Sequence, residues 1–293
     1  MCPAHHLRWI CLALVCAASA VGAQSDEGVG DRRPWAIGLG AQADDESNDS
    51  MLASFNWGVS EETWLKFSAG RSRSPERGAD IVADNLSAGF EHRFGLVGVA
   101  FDVERWGDPD ALESTDFGAA VYVQNERLRL AVRRERRAID VHFMLTGPLG
   151  GTIPRTAGVD ADGTELNLRV QIGERWQLHA SAATYDYSRN LAALPRIEQL
   201  NLLSASALTL ANSLIDEQAG FGVERQTRRG EVLTFDYHRD RSAVDGARLE
   251  SFDVAFLFPV ARRMDLEINL GQGRSDLLGS GLYGGFLLLI YGG

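Results

Sequence analysis

Cysteine is confined to the start of the 293-residue chain, at Cys2, Cys11 and Cys16. Met1 to Arg8 is polar with one Arg, Trp9 to Ala20 is apolar, and Val21-Gly22-Ala23 places small residues before Gln24. That order is a secretory signal peptide, too short in its apolar part to span a membrane. Cys16 follows Val15, where a lipid-attachment signal would carry a small residue. Cleavage after Ala23 leaves 293 − 23 = 270 residues without a cysteine. An exported chain with no disulfide must rely on hydrogen bonding or a large core.

Lysine is almost missing too. Lys66 is the only one, so the other basic residues are arginines. The net charge is −11, and removal of Arg8 takes it to −12. No basic stripe offsets that balance, which excludes a nucleic-acid partner. After the signal there is also no run of the ~20 apolar residues that a membrane helix needs. The longest apolar burst is Phe286 to Tyr291. If the chain enters a membrane, it does so as strands.

What the sequence does contain is alternation. In 166–187, Leu166, Leu168, Val170 and Ile172 occupy one face of an extended chain, with Asn167, Arg169 and Gln171 on the other. Gly173-Glu174-Arg175 interrupts, and Trp176, Leu178, Ala180 and Ala182 resume opposite Gln177, His179 and Ser181. A period of two broken by a short polar stretch is a hairpin. The scheme recurs: Met51 to Val59 turns at 60–62 into Leu65, Phe67 and Ala69. Leu86, Ala88 and Phe90 turn near Gly95 into Val97, Val99, Phe101 and Val103. Phe117 to Val123 turn at Asn125 into Leu128, Leu130 and Val132. Later come Phe221 and Val223, then Leu233 and Phe235, then Phe252 to Phe258, and Met264 to Leu270.

Two regularities separate a membrane barrel from a soluble sandwich. Short connections near 60–62, 95, 125, 174, 229 and 260 alternate with longer polar ones at 42–50, 71–83, 106–114, 146–163, 188–212, 241–247 and 272–280. Outer-membrane barrels have that rhythm, with tight periplasmic turns and long extracellular loops. Aromatic residues also gather beside the short turns, at Trp35, Trp57, Trp64, Phe94, Trp176, Phe258 and Tyr291. Rings at one level read as an interfacial girdle. A sandwich also explains alternation, but not mid-strand charges such as Asp102, Glu104, Arg169, Asp265 and Glu267 opposite a wholly apolar face.

The expected fold is therefore all-β: an antiparallel transmembrane β-barrel of 14 strands, with 16 as the alternative. The choice turns on 127–145, where the apolar phase is even to Val132 and odd from Ile139. One long strand with a bulge near Arg134 gives 14, and an added turn at 133–136 gives 16. The expected organisation is a signal peptide over 1–23, a periplasmic segment over 24–33 and the barrel over 34–293.

These hairpins make the whole mature chain resemble the bacterial outer-membrane β-barrel class, the porin-like proteins broadly. The resemblance is one of architecture, and no motif points to a particular family. It implies an outer-membrane location, contact with lipid and lipopolysaccharide, and assembly by the barrel-assembly machinery. That machinery reads a terminal aromatic residue. Here Tyr291 stands closest to that place, followed by Gly292 and Gly293.

The polar face then becomes the lumen. The candidate pore-lining residues are Lys66, Glu91, Asp102, Glu104, Arg129, Arg169, Asp236, Asp265 and Glu267. Arg93, Arg133, Asp140 and Asp253 fall on the same phase. About 8 strands are filled by their own side chains and 16–18 leave a water channel, so 14 suit a modest pore. The mildly acidic lining suggests a cation preference for passively diffusing small solutes. The charges could instead pair across the lumen and hold its shape.

Two Asp-x-His pairs, Asp140/His142 and Asp236/His238, place an acid and an imidazole on one face, as a hydrolase base does. No matching nucleophile accompanies them, so neither a catalytic set nor a metal or cofactor site is assigned. An outer-membrane lipid or peptide hydrolase remains the rival function. A second rival is a gated transporter for hydrophobic compounds. Its basis is the segment 191–214, where Leu194, Ile197, Leu200, Leu203, Ala207, Leu210 and Leu214 recur at helical spacing. Acidic loops at 44–46, 108–110 and 160–162 read as contacts to surface lipopolysaccharide through divalent cations.

Overall fold

A computed structural model describes residues 34–292 apart from 46, 77–78, 147–151, 190, 192–213 and 277–278. The signal peptide, the segment 24–33 and the helix expected within 191–214 lie outside the described residues. The strands are β1 (Trp35–Asp44), β2 (Asp49–Gly58), β3 (Thr63–Glu76), β4 (Ala79–Phe94) and β5 (Val97–Asp108). Then come β6 (Leu112–Gln124), β7 (Leu128–Thr146), β8 (Thr152–Ile172), β9 (Trp176–Tyr187) and β10 (Ile215–Gln226). The series ends with β11 (Val232–Ser242), β12 (Arg248–Ala261), β13 (Met264–Ser275) and β14 (Gly279–Gly292).

Each strand pairs antiparallel with its sequence neighbours, and β1 pairs with β14, so the sheet closes with no edge. Along the apolar band closure gives every strand a partner on both sides, the condition for crossing hydrocarbon. The 14-strand count holds.

The apolar residues of the alternation point outward. Phe101 is 53 % exposed, Phe221 62 % and Leu270 66 %, while their neighbours Asp102 and Asn269 are half-buried and buried. A soluble fold would bury the opposite set. On β10 to β12 the outer surface carries Phe221, Tyr237 and Phe252, with ring centroids 5.4 and 4.8 Å apart. Above the apolar band the outer face turns charged, as in the pairs Arg71–Asp84 at 2.6 Å, Arg73–Asp49 at 2.9 Å and Arg105–Glu113 at 2.7 Å. Below it, Trp35 pairs in register with Trp57. The expected girdle needs one correction. Trp64 is in register with Glu91, and Tyr291 with Ala36, so both sit on the inward phase.

A charge placed on the lipid face should be costly. Phe101→Arg, near mid-band, is expected to lower folding stability in lipid by about 2–4 kcal/mol. A urea titration of folded fraction in vesicles measures it.

β7 departs from expectation in an informative way. It is one strand, but its pairing with β6 and β8 runs without a register shift, so there is no bulge near Arg134. Likewise 152–163, read as loop, belongs to β8, and β3, β4 and β6 also run on beyond the apolar band. What changes along β7 is the surroundings of each face. Above the band Arg134, Arg136 and Asp140 face water outside, and Ile139 and Val141 turn inward. There Leu112, Ile139, Val141, Val159, Leu191, Leu214 and Val244 form a buried apolar cluster, with Trp106 and Tyr187 against it. Leu191 and Leu214, the described residues on either side of 192–213, both lie in this cluster.

Large inward side chains lie flat over glycines of the neighbouring strand. A Cβ at Gly98, Gly163 or Gly271 would collide with the ring of Tyr122, Tyr185 or Tyr283 respectively. Here glycine is needed for close approach, not for an unusual backbone angle.

Candidate functional site

The barrel interior gathers its charge unevenly. Lys66 and Arg129 both reach Glu91, at 2.7 and 3.0 Å, and are 37 % and 35 % exposed. Arg129 also lies 4.2 Å from the centre of the Tyr122 ring. Its direct register partner on β8 is Arg169. Two like charges directly opposite oppose pairing, and here they stand side by side on the inner face.

Higher on the same arc the charges interlock. Arg133 meets Asp102 at 2.5 Å, Glu165 at 3.4 Å and also Glu135. Glu135 binds Arg137 at 2.5 Å, and Arg137 lies 3.6 Å from Asp116 and 3.9 Å from the Tyr185 ring centre. The Trp106 indole donates to Asp116 at 2.9 Å. Asn85 donates to Glu104. Gly118 leaves room for this: a Cβ there would strike both Arg133 and Asp102.

The other arc is different. Among the described residues no Lys or Arg of β9 to β14 lies on the inward phase, whereas Glu224, Asp236, Asp253, Asp265 and Glu267 do. Asp236 and Asp253 are direct register partners, again like opposite like. Among the described residues of this arc, His179 and His238 are the imidazoles on the inward phase. His179 Nε2 lies 2.5 Å from Asp236 and Nδ1 lies 3.6 Å from Glu224, whose other oxygen accepts from Gln177 at 2.9 Å. Gly222 sits between them, where any Cβ would collide with both His179 and Asp236. The Tyr283 hydroxyl donates to Asp253.

All nine candidate residues read from the sequence fall on the inward phase, in two sets. Lys66, Glu91, Asp102, Glu104, Arg129 and Arg169 occupy β3 to β8, and Asp236, Asp265 and Glu267 occupy β11 to β13. The Asp-x-His pairs are corrected. Asp140 and His142 face outward above the apolar band, where His142 Nδ1 meets the Thr156 hydroxyl at 3.0 Å. Asp236 and His238 do face inward, but the imidazole on Asp236 is that of His179, from β9. Residues missed were Asp116, Glu135, Arg137 and Glu165, the first two buried with Arg137. A continuous odd phase through β7 would have found Glu135 and Arg137. Glu224 and His179 lay on a recognisable polar phase but carried no local motif.

A closed, antiparallel, 14-strand barrel with an apolar outside and a charged inside is the fold of the outer-membrane β-barrel class. No protein-family model matches the chain, and no curated protein sequence matches it. Among solved structures it is similar to the CymD monoaromatic hydrocarbon channel, with a TM-score of 0.52 and 7 % identity over 88 % of this chain and 87 % of that one. A loop-L8 deletion mutant of OmpT, an outer membrane protein of Vibrio cholerae, gives 0.48 and 10 % over 89 % and 98 %. The NanC porin gives 0.45 and 6 % over 87 % and 98 %.

Proposed function

We propose that the protein is an outer-membrane channel through which small solutes diffuse passively, with a preference for cations. The observation that carries this is the acidic arc: Glu224, Asp236, Asp253, Asp265 and Glu267, with no inward Lys or Arg on β9 to β14 among the described residues. On the facing arc most carboxylates are matched by arginines, so the interior as a whole is acidic. Lumen carboxylates attract cations and repel anions. Lys66, Glu91, Asp102, Glu104, Arg129 and Arg169 line the water path opposite them in this reading. The signal peptide, the lipopolysaccharide contacts and assembly through the barrel machinery belong to the same proposal.

The test is conductance of the refolded mature protein in a planar bilayer under a potassium chloride gradient. Stable steps are expected, with a reversal potential shifted toward that of potassium. Asp236→Asn with Glu267→Gln should move it back toward zero. Insertion without steps, or an anion-shifted reversal, would sink the proposal.

One observation favours a second reading, in which passage is gated for hydrophobic compounds. The mouth holds an apolar cluster among the described residues, and Leu191 and Leu214 both belong to it. The similar barrel CymD is described as a monoaromatic hydrocarbon channel. For a lipid or peptide hydrolase, Asp140 and His142 lie on the outer face, and the inward acid–imidazole contact is that of Asp236 with His179.

A further inference from the structure

The short turns do not share their charge evenly. Those between β2 and β3, β4 and β5, and β6 and β7 carry Glu61, Glu62 and Glu126 against Arg127. In the next three, Arg175, Arg228, Arg229, Arg262 and Arg263 stand against Glu174 and Glu231, and Arg225 joins them at the end of β10. These three turns are consecutive on the rim from β8 to β13. The chain as a whole is acidic, with a net charge of −11, so a basic half-rim is a local feature and not a consequence of composition.

None of these six arginines makes an ion pair among the described residues, in contrast to Arg71, Arg73 and Arg105 at the other end of the barrel. Arg225, Arg228, Arg229, Arg262 and Arg263 are exposed. The acid beside Arg228 and Arg229 is engaged elsewhere. Glu231 accepts from the Thr227 hydroxyl at 2.9 Å, and that hydroxyl accepts from the Arg229 amide at 3.2 Å. The arginines also have apolar company. Arg225 and Trp176 are register partners on the outer face, with the guanidinium 5.2 Å from the ring centre. Ile172, paired with Trp176 from the other side, and Val260, just before Arg262, are 49 % and 48 % exposed. A turn that only needed solvation would not require such neighbours. Guanidinium, indole and exposed aliphatic groups together suit the boundary between headgroup and acyl chain.

We propose that the rim from β8 to β13 is a docking surface for anionic phospholipid, its arginines taking the phosphodiester and Trp176, Ile172 and Val260 the start of the acyl chains. A guanidinium presents paired donors to phosphate oxygens, and Arg228-Arg229 and Arg262-Arg263 each set two such groups side by side in one turn. A zwitterionic headgroup brings an ammonium that these arginines repel, so lipids of net negative charge are favoured. Across the barrel, Glu61 and Glu62 offer the anionic headgroup nothing. Lipid is therefore sorted around the barrel, with the anionic species on one side. This inference needs the barrel to lie in a membrane and is independent of what passes through it.

The test uses tryptophans that face lipid on opposite sides of the ring. Trp176 lies on β9, and Trp35 and Trp57 lie on β1 and β2. Trp64 is on the inward phase and Trp106 packs against the mouth cluster, so neither meets lipid. Refolded mature protein with Trp35→Phe and Trp57→Phe reports the basic side, and Trp176→Phe reports the other. Each is placed in phosphatidylcholine vesicles and quenched with brominated phosphatidylglycerol or brominated phosphatidylcholine. At Trp176 phosphatidylglycerol is expected to be favoured about fivefold at low ionic strength, the worth of about one arginine at an anionic surface. At Trp35 and Trp57 the ratio should be near one. The preference should shrink as salt rises. Arg228→Gln, Arg229→Gln, Arg262→Gln and Arg263→Gln together, with Arg225 left on Trp176, should bring the Trp176 ratio close to one. Quenching of Trp176 by brominated phosphatidylcholine reports that the variant has inserted. Equal ratios on the two sides, or a preference that survives the four substitutions, would overturn the lipid surface and leave the basic rim to a soluble acidic partner.

Discussion

Replacing Glu135 with alanine is expected to destabilise the barrel by about 3–5 kcal/mol, the cost of removing one partner from a buried charge group. Glu135 is 5 % exposed and touches two arginines: Arg133, which is 22 % exposed, and Arg137, which is 9 % exposed. Without it, Arg133 keeps Asp102 at 2.5 Å and Glu165 at 3.4 Å. Arg137 keeps Asp116 at 3.6 Å and the Tyr185 ring. The loss therefore falls mostly on Arg137, whose guanidinium is held where water cannot replace the carboxylate. Two further variants separate charge from packing. Glu135→Gln keeps the shape and one acceptor, and should cost less than alanine. Glu135→Leu with Arg137→Met removes both charges and should recover part of the loss, because paired desolvation disappears along with the attraction. Urea midpoints followed by tryptophan fluorescence in vesicles measure all three. An alanine variant as stable as the parent would mean that the group is solvated and structurally idle.

That network also shows where a sequence stops being readable. Strands are legible because lipid imposes one rule on every outward position, so Phe101, Val103, Leu168 and Val170 announce themselves two by two. The same rule misleads once a strand leaves the membrane. Above Val132 the solvent outside β7 is water, and from Ile139 the partners inside are the apolar mouth, so the phase inverts without any change in backbone. Inversion and bulge leave the same trace in a sequence. The register pairing Arg134 with Ala119 and Thr164 distinguishes them. Asp140 and His142 were misplaced for that reason.

The inner contacts were less legible still. Lys66 to Glu91 spans 25 positions, Arg133 to Asp102 spans 31 and His179 to Asp236 spans 57. No local pattern encodes which inward residue meets which. The glycines are similar. Gly163 reads as a weak point in a strand until the Tyr185 ring is seen to lie across it, and Gly222 until His179 and Asp236 do. Alternation states that a residue faces inward, and only closure of the sheet states what it faces there.

The second large effect concerns the mouth. Ile139 is 1 % exposed within the cluster of Leu112, Val141, Val159, Leu191, Leu214 and Val244. Ile139→Ala should cost about 2–5 kcal/mol, the usual range for a core Ile that leaves a cavity. The cost should be local, because the cluster lies above the apolar band and the strands below it are held by lipid and by register on both sides. Hydrogen exchange reads that difference. Amides near Val141 and Val159 should exchange at least about 30-fold faster, which is what 2 kcal/mol gives at 1.4 kcal/mol per tenfold. Amides near Leu130 and Leu168 should be unchanged. The same variant decides what the cluster does. If the cluster itself narrows the mouth, loosening it should raise single-channel conductance and speed influx of apolar solutes. Faster exchange with unchanged conductance would make the cluster a brace for the tall β7–β8 wall, and the solute would then be selected deeper, at the acidic arc.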